Sequence, residues 1–65
     1  MSETFTDWLL DQADRDDPIG DVARDASKDK SFPKGSPDDV RGYLRHRSSA
    51  ACREALEDAI EEYQL

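Results

Sequence analysis

The stretch Ser49-Ala-Ala-Cys-Arg-Glu-Ala-Leu-Glu-Asp-Ala-Ile-Glu-Glu-Tyr-Gln64 is the longest periodic run in the chain and decides its fold. Its apolar residues recur at intervals of three and four, which places them on one stripe of an α-helix. They are Cys52, Ala55, Leu56, Ala59, Ile60 and Tyr63. A helix this one-sided must bury its stripe against other elements. We therefore expect the rest of the chain to pack around this helix.

Two shorter helices are predicted in the first half of the chain. The first runs over residues 5–14 and carries Trp8, which we place in the core because it has the largest apolar surface in the chain. Asp17 and Pro18 have the residue types of an N-cap and a first helical position. They predict a second helix over residues 18–28.

A loop and a third helix follow. Residues 31–36 contain a proline and a glycine within three positions, which indicates a loop or tight turn. Phe32 is expected to pin this loop onto the core. Ser36 then repeats the cap-plus-proline pattern and predicts a third helix over residues 37–46. The expected fold is all-α, a compact domain of four short helices without strands.

Length and charge limit the architecture and the compartment. The 65 residues suffice for one domain, spanning 1–65, and we expect a monomer. One cysteine excludes an internal disulfide, and the first residues lack the charged and apolar regions of a signal peptide. No segment approaches the roughly 18 apolar residues that span a bilayer. We expect a cytoplasmic protein without membrane contact.

The net charge of −7 hides a basic segment in the middle of the chain. Residues 1–29 carry nine acidic and three basic side chains, and residues 54–65 carry five acidic side chains and no basic one. Residues 30–53 carry only two acidic side chains and six basic ones. The overall charge opposes non-specific adhesion to nucleic acid or to anionic membranes, whereas this segment is locally cationic.

Several short motifs together resemble a known family. They are Phe5-x-x-Trp-Leu-Leu10, Asp16-Asp-Pro-Ile-Gly-Asp-Val-Ala23, Ser31-Phe-Pro-Lys-x-Ser36, Tyr43-Leu44 and Glu61-Glu-Tyr63. In these motifs the chain is similar to the YozE-like family of small bacterial proteins over essentially its whole length. The resemblance implies a compact helical domain similar to a sterile alpha motif. Domains of that shape bind proteins, polymerise or bind nucleic acid, so the fold alone does not choose among these functions.

The sequence offers no catalytic, metal or cofactor site. Cys52 and His46 are the only thiol and imidazole, and Cys52 falls on the buried stripe of the last helix, where thiols are usually inert. The acidic residues that begin at Asp14 fail the calcium-loop pattern, because its fifth and sixth positions are Pro18 and Ile19. One histidine and one cysteine make an intrachain zinc site implausible. We expect neither a cofactor nor enzymatic activity.

The basic segment carries the candidate contact residues: Lys34, Arg41, Arg45, Arg47 and Arg53. The first hypothesis is a module that binds another protein through the third helix, the 31–36 loop and the start of the last helix. The second is a weak nucleic-acid contact through the four arginines, since arginines around a helix suit phosphate groups. The alternative to both is that these side chains pair with acidic residues of their own chain and form an ordinary charged surface.

Overall fold

The computed structural model describes residues 4–65. Within this range the chain forms four α-helices and one short 3₁₀ turn, and it forms no strand. The elements are α1 Phe5–Leu10, the 3₁₀ turn Asp11–Asp14, α2 Pro18–Lys28, α3 Pro37–Leu44 and α4 Ala50–Gln64. The predicted all-α, four-helix architecture is confirmed.

Each of the four helices is preceded by a residue whose side chain accepts a hydrogen bond from a backbone N–H of the first turn. These N-caps are Thr4, Asp17, Ser36 and Ser49. Pro18 and Pro37 each stand in the first turn, as predicted. The helix ends were predicted less well, since α1 tightens into the 3₁₀ turn after Leu10 and α3 ends at Leu44 rather than at residue 46.

The core lies where α1, α2 and α4 meet, with α3 contributing one fully buried side chain. The apolar residues of α2 that follow helical spacing are all buried, and the central four residues of the α4 stripe are buried as well. The buried apolar residues are Phe5, Leu9, Ile19, Val22, Ala23, Ala26, Val40, Ala55, Leu56, Ala59 and Ile60. Cys52 and Tyr63, at the two ends of the α4 stripe, are only partly buried.

Trp8 lies at the margin of the core rather than inside it, which corrects its predicted position. Phe5 and Leu9 are four residues apart on α1, and their side chains occupy the interior. The Trp8 ring is displaced to the flank, where its centroid lies 6.0 Å from that of Phe5 and 5.7 Å from that of Tyr63. The largest side chain therefore covers the core from outside.

Thr6 joins α1 to the loop that precedes α3. Its side chain is buried, its hydroxyl donates to the Pro33 carbonyl at 2.7 Å, and the Gly35 N–H donates to the same hydroxyl at 3.1 Å. These two bonds give partners to polar groups of the loop that are only partly exposed to water. Phe32 adds an edge-to-face contact with Tyr43 at 5.6 Å, so the loop is fixed at two points.

We expect Thr6→Val to destabilise the domain by about 1–3 kcal/mol, because it leaves the Pro33 carbonyl and the Gly35 N–H without their partner. Thr6→Ser keeps the hydroxyl and removes one methyl group, so we expect the free energy of unfolding to fall by only about 1 kcal/mol. Urea unfolding followed by circular dichroism measures both. A valine variant as stable as the serine variant would show that the two hydrogen bonds contribute little.

Within residues 4–65, no helix combines the length and the apolar character that crossing a lipid bilayer requires.

Candidate functional site

The stretch from residue 40 to residue 53 contains four arginines and no acidic residue, in a chain of sixteen acids and nine bases. It folds as the second half of α3, a turn, and the first turn of α4. We call residues 43–53 the α3–α4 corner. The local hydrogen bonds that build it are the Ser49 cap on α4 and a bond from the Ser48 hydroxyl to the Leu44 carbonyl at 2.8 Å.

Arg41 lies next to this corner, and its charge is neutralised by two carboxylates. Its guanidinium donates two hydrogen bonds to Glu57 on α4, at 2.8 and 2.7 Å, and a third to Asp38 at 3.0 Å. The hydrogen bonds from Arg41 hold the pKa of Glu57 below its usual range. Arg41 is therefore paired with acidic residues of its own chain, which is the alternative to both binding hypotheses.

Arg45 and Arg53 share a small groove with Arg41, and neither forms an ion pair with any residue in the described part of the chain. The groove has a volume of about 170 Å³, and Leu56 and Glu57 complete its lining. Arg45 is exposed and makes no hydrogen bond within residues 4–65. Arg53 donates to the Ser48 carbonyl at 2.7 Å, which orients its guanidinium without neutralising it. Two uncompensated cations therefore face the same groove.

Arg47 lies on the other side of the corner, over the ring of Tyr43. Its Cζ atom is 4.6 Å from the ring centroid, within the range of a cation–π contact. The Tyr43 hydroxyl donates to Asp29 at 2.6 Å, and this bond is the main cause that lowers the pKa of Asp29 and raises that of Tyr43. The positive charge of Arg47 lowers the pKa of Asp29 further, although the two residues form no ion pair.

Lys34 stands apart from the other candidates. It lies in the loop before α3, whereas Arg45 and Arg47 follow the end of that helix. An eight-residue helix is about 12 Å long, which separates the two positions. Lys34 is exposed and has no hydrogen bond or ion pair with another described residue. The structure thus brings Arg41, Arg45 and Arg53 together, places Arg47 around the corner, and leaves Lys34 at the far end.

Cys52 and His46 carry the only thiol and the only imidazole of the sequence, and they do not form a hydrogen-bonded pair. Cys52 is partly buried against the core, His46 is exposed, and no hydrogen bond joins them. Across residues 4–65 no group of three His, Cys, Asp or Glu side chains is placed to hold a metal ion.

Two contacts that Tyr43 makes at the corner were not predicted from the sequence. In the sequence Tyr43 was singled out only as part of the motif Tyr43-Leu44, yet its ring contacts Arg47 and its hydroxyl bonds to Asp29. Tyr43 and Arg47 are four residues apart, which was a usable signal for their contact. The bond to Asp29 had no such signal, because Asp29 and Tyr43 are 14 residues apart in the chain.

The paired carboxylates predict how stability depends on pH. The pKa values of Asp17, Asp29, Glu57 and Glu62 are all lowered by hydrogen bonds that their charged forms accept. Because folding favours the charged forms, their contribution is complete above the ordinary pKa values of 3.8 for Asp and 4.5 for Glu. It is lost as the pH falls through the lower folded values.

We expect the melting temperature to be nearly constant from pH 7 to 5 and to fall steadily below about pH 4.5. Melting curves recorded between pH 7 and 2.5 test this. A Glu57→Gln/Glu62→Gln variant should melt lower at pH 7 and depend less on pH, since it lacks two of the responsible groups. Glu54→Gln is the control, because it removes an exposed carboxylate that has no hydrogen-bond partner among residues 4–65. A curve for the double variant parallel to that control would contradict the assignment.

Comparison with known proteins identifies a family but no individual relative. The family model described as YozE SAM-like fold matches residues 4–65, nearly the whole chain. No curated protein and no solved structure matches the sequence.

Proposed function

The chain belongs to the YozE SAM-like fold family, and from this premise we propose that it is a non-enzymatic module that binds another protein through the α3–α4 corner. The proposal narrows the surface expected from the sequence. It retains Arg45, Arg47 and Arg53, and it assigns Arg41 and Lys34 no direct part. The fold itself supports binding functions in general and selects none of them.

The observation that carries the proposal is the division of the six arginines into two sets of three. Arg15, Arg24 and Arg41 each form an ion pair with a carboxylate of the same chain. Arg45, Arg47 and Arg53 form none with any residue from 4 to 65, although the chain has sixteen acids. All three unpaired arginines lie in the corner. A surface that only served solubility would be expected to mix the two charges.

The side chains of this surface are partly ordered before any partner binds. The Tyr43 ring holds Arg47, and the Ser48 carbonyl holds Arg53. An arginine that is already oriented loses less rotamer freedom when it meets a carboxylate. Guanidinium groups also bind carboxylates through two parallel hydrogen bonds. The partner segment that fits this corner is therefore acidic and exposed.

No hydrogen bond joins Cys52 to His46, and the proposal assigns neither residue a catalytic role. A thiol nucleophile needs an adjacent base or a lowered pKa, and the geometry offers Cys52 no imidazole partner.

A nucleic-acid contact is the second candidate, because the three unpaired arginines would also suit phosphate groups. Two observations weaken it. Arg41 is withdrawn from the patch by Glu57 and Asp38, and the net charge of −7 repels a polyanion.

The test compares two single charge reversals, Arg45→Glu in the corner and Lys34→Glu at the far end of α3. Both residues are exposed and unpaired, so both variants should fold, and both change the net charge equally. A partner captured from the native cell by the wild-type chain should be retained by Lys34→Glu and lost by Arg45→Glu. Equal capture by both variants would refute the corner as the binding surface.

The same proteins distinguish the nucleic-acid candidate. They are titrated with short duplex and single-stranded oligonucleotides at low and moderate salt. The protein-binding proposal predicts no appreciable oligonucleotide binding at moderate salt. Binding that weakens steeply with salt and disappears in Arg45→Glu would replace it with a phosphate contact.

A further inference from the structure

Glu57 is the only acid among the described residues that line the groove shared by Arg45 and Arg53. Arg53 lies four residues before Glu57 on α4, and opposite charges at this spacing on a helix commonly pair. No ion pair joins these two residues in the described part of the chain, and Arg53 instead donates to the Ser48 carbonyl at 2.7 Å. The groove therefore contains an acid that is placed to neutralise an arginine of the corner and does not do so.

Arg41 is the reason that Glu57 does not pair with Arg53. Its Nε and Nη2 atoms donate to the two carboxylate oxygens of Glu57 at 2.8 and 2.7 Å, which is the bidentate arrangement that guanidinium and carboxylate groups form best. Asp38 accepts a third hydrogen bond at 3.0 Å and holds the Arg41 guanidinium in place. The negative charge of Glu57 is therefore compensated from α3, and its attraction for Arg53 is weak.

The pair between Arg41 and Glu57 has a larger effect on the charge of the groove than on the stability of the domain. The two side chains are 41% and 53% exposed, and ion pairs this exposed to water contribute little to folding. Without Arg41, by contrast, the full negative charge of Glu57 would line the same groove as Arg45 and Arg53. The pair thus decides whether the groove presents free cations.

We propose that Arg41 is a positioning residue of the α3–α4 corner, which pairs with Glu57 and thereby keeps Arg53 free to bind a carboxylate of the partner. This inference rests on the proposed function and deepens it, because it gives Arg41 a part that needs no contact with the partner. When Arg41 is removed, Glu57 pairs with Arg53 along α4. The corner then presents one free arginine fewer, although every residue that meets the partner is unchanged.

The first measurement needs no partner and follows the carboxyl carbon of Glu57 by nuclear magnetic resonance between pH 7 and 3. In Arg41→Gln we expect the pKa of Glu57 to stay below its ordinary value of 4.5, because Arg53 replaces the lost cation. In Arg41→Gln/Arg53→Gln it should reach that ordinary value. Asp58 and Glu61, which share a concavity with Glu57, are the same in both variants and do not cause this difference. An ordinary pKa in Arg41→Gln alone would overturn the proposal.

The second measurement is the affinity for a rhodamine-labelled peptide of six glutamates, by fluorescence anisotropy at low salt. Arg41→Gln should bind this peptide about threefold to fivefold more weakly than the wild type. Lys34→Gln is the matched control, because it changes the net charge equally at the far end of α3, and its affinity should be nearly unchanged. Arg41→Lys should restore most of the affinity, since its ammonium group still pairs with Glu57. Equal affinities of Arg41→Gln and Lys34→Gln would refute the positioning role.

Arg45→Glu separates failure of this inference from failure of the proposed function. If the corner binds acidic segments and Arg41 has no positioning role, Arg45→Glu loses the peptide while Arg41→Gln binds it like the wild type. If the corner does not bind acidic segments, Arg45→Glu binds the peptide like the wild type, and the proposed function fails together with the inference that rests on it.

Discussion

Replacing Phe5 with alanine is expected to abolish the cooperative unfolding transition of the domain. The Phe5 side chain is 1% exposed, and its ring contacts those of Trp8 and Tyr63. Truncating a buried phenylalanine costs about 3–5 kcal/mol through lost burial and the cavity left behind. A core of this size supplies a net stability of roughly 3–5 kcal/mol, so the variant should be largely unfolded at room temperature. Far-ultraviolet circular dichroism and urea unfolding measure the effect.

Trp8→Ala is the informative comparison, because it removes a larger side chain from a more exposed position. The free energy of unfolding should fall less in Trp8→Ala than in Phe5→Ala. The Trp8→Ala variant should keep a cooperative transition, at a urea concentration below that of the wild type. The reverse order of stability would show that Trp8 supports the core more than its exposure indicates. Trimethylamine N-oxide can be added to refold Phe5→Ala, so that the free energies of unfolding of the two variants are compared under the same conditions.

Replacing Gly20 with alanine is expected to destabilise the domain by about 1–3 kcal/mol, although alanine is the better helix former. A Cβ atom at Gly20 would lie 2.0 Å from the carbonyl oxygen of Arg15 and 2.8 Å from its carbonyl carbon. Both are backbone atoms and cannot move as a side chain can. The same carbonyl accepts a hydrogen bond from Arg24 at 2.9 Å, which fixes it further. α2 would have to move away from the preceding segment.

Gly42→Ala is the matched control for this prediction. Gly42 also lies inside a helix, but apart from its neighbours and the backbone of its own helix no heavy atom of residues 4–65 lies within 4 Å of the Cβ position. The substitution should therefore stabilise the domain by about 0.4–1 kcal/mol, because alanine restricts the unfolded chain and fits the helix. Opposite signs for the two glycines in urea unfolding would support the close approach at Arg15. A stabilising Gly20→Ala would exclude it.

The helix starts were predictable because their causes are local. A cap such as Asp17, followed by Pro18, needs only residues within one turn, and the apolar stripe of α2 follows from spacing alone. The ends of α1 and α3 have no comparable signal within one turn. The position of Trp8 was predicted wrongly because the size of its side chain was taken as a guide to its burial. In the packing of α1 against α4, Phe5 and Leu9 are the residues that lie in the interior.

The candidate site was predictable only as a set of residue types. Arg41 and Arg45 look alike in sequence, and only the position of Glu57 across the α3–α4 interface separates a neutralised arginine from a free one. Thr6 gave no sign of its role either, since a threonine in a first helical turn is usually solvated. Both assignments depend on contacts between residues distant in the chain.

The aromatic contact between Trp8 and Tyr63 allows folding to be followed by the intrinsic fluorescence of the protein. Trp8 is the only tryptophan, and its ring centroid is 5.7 Å from that of Tyr63 on α4. While α1 is packed against α4, excitation energy absorbed by Tyr63 should pass to Trp8 by resonance transfer. When the helices separate, the emission of Trp8 should move to longer wavelength. Assembly of the helices can therefore be followed without a dye. The α3–α4 corner would not need to be altered for that measurement.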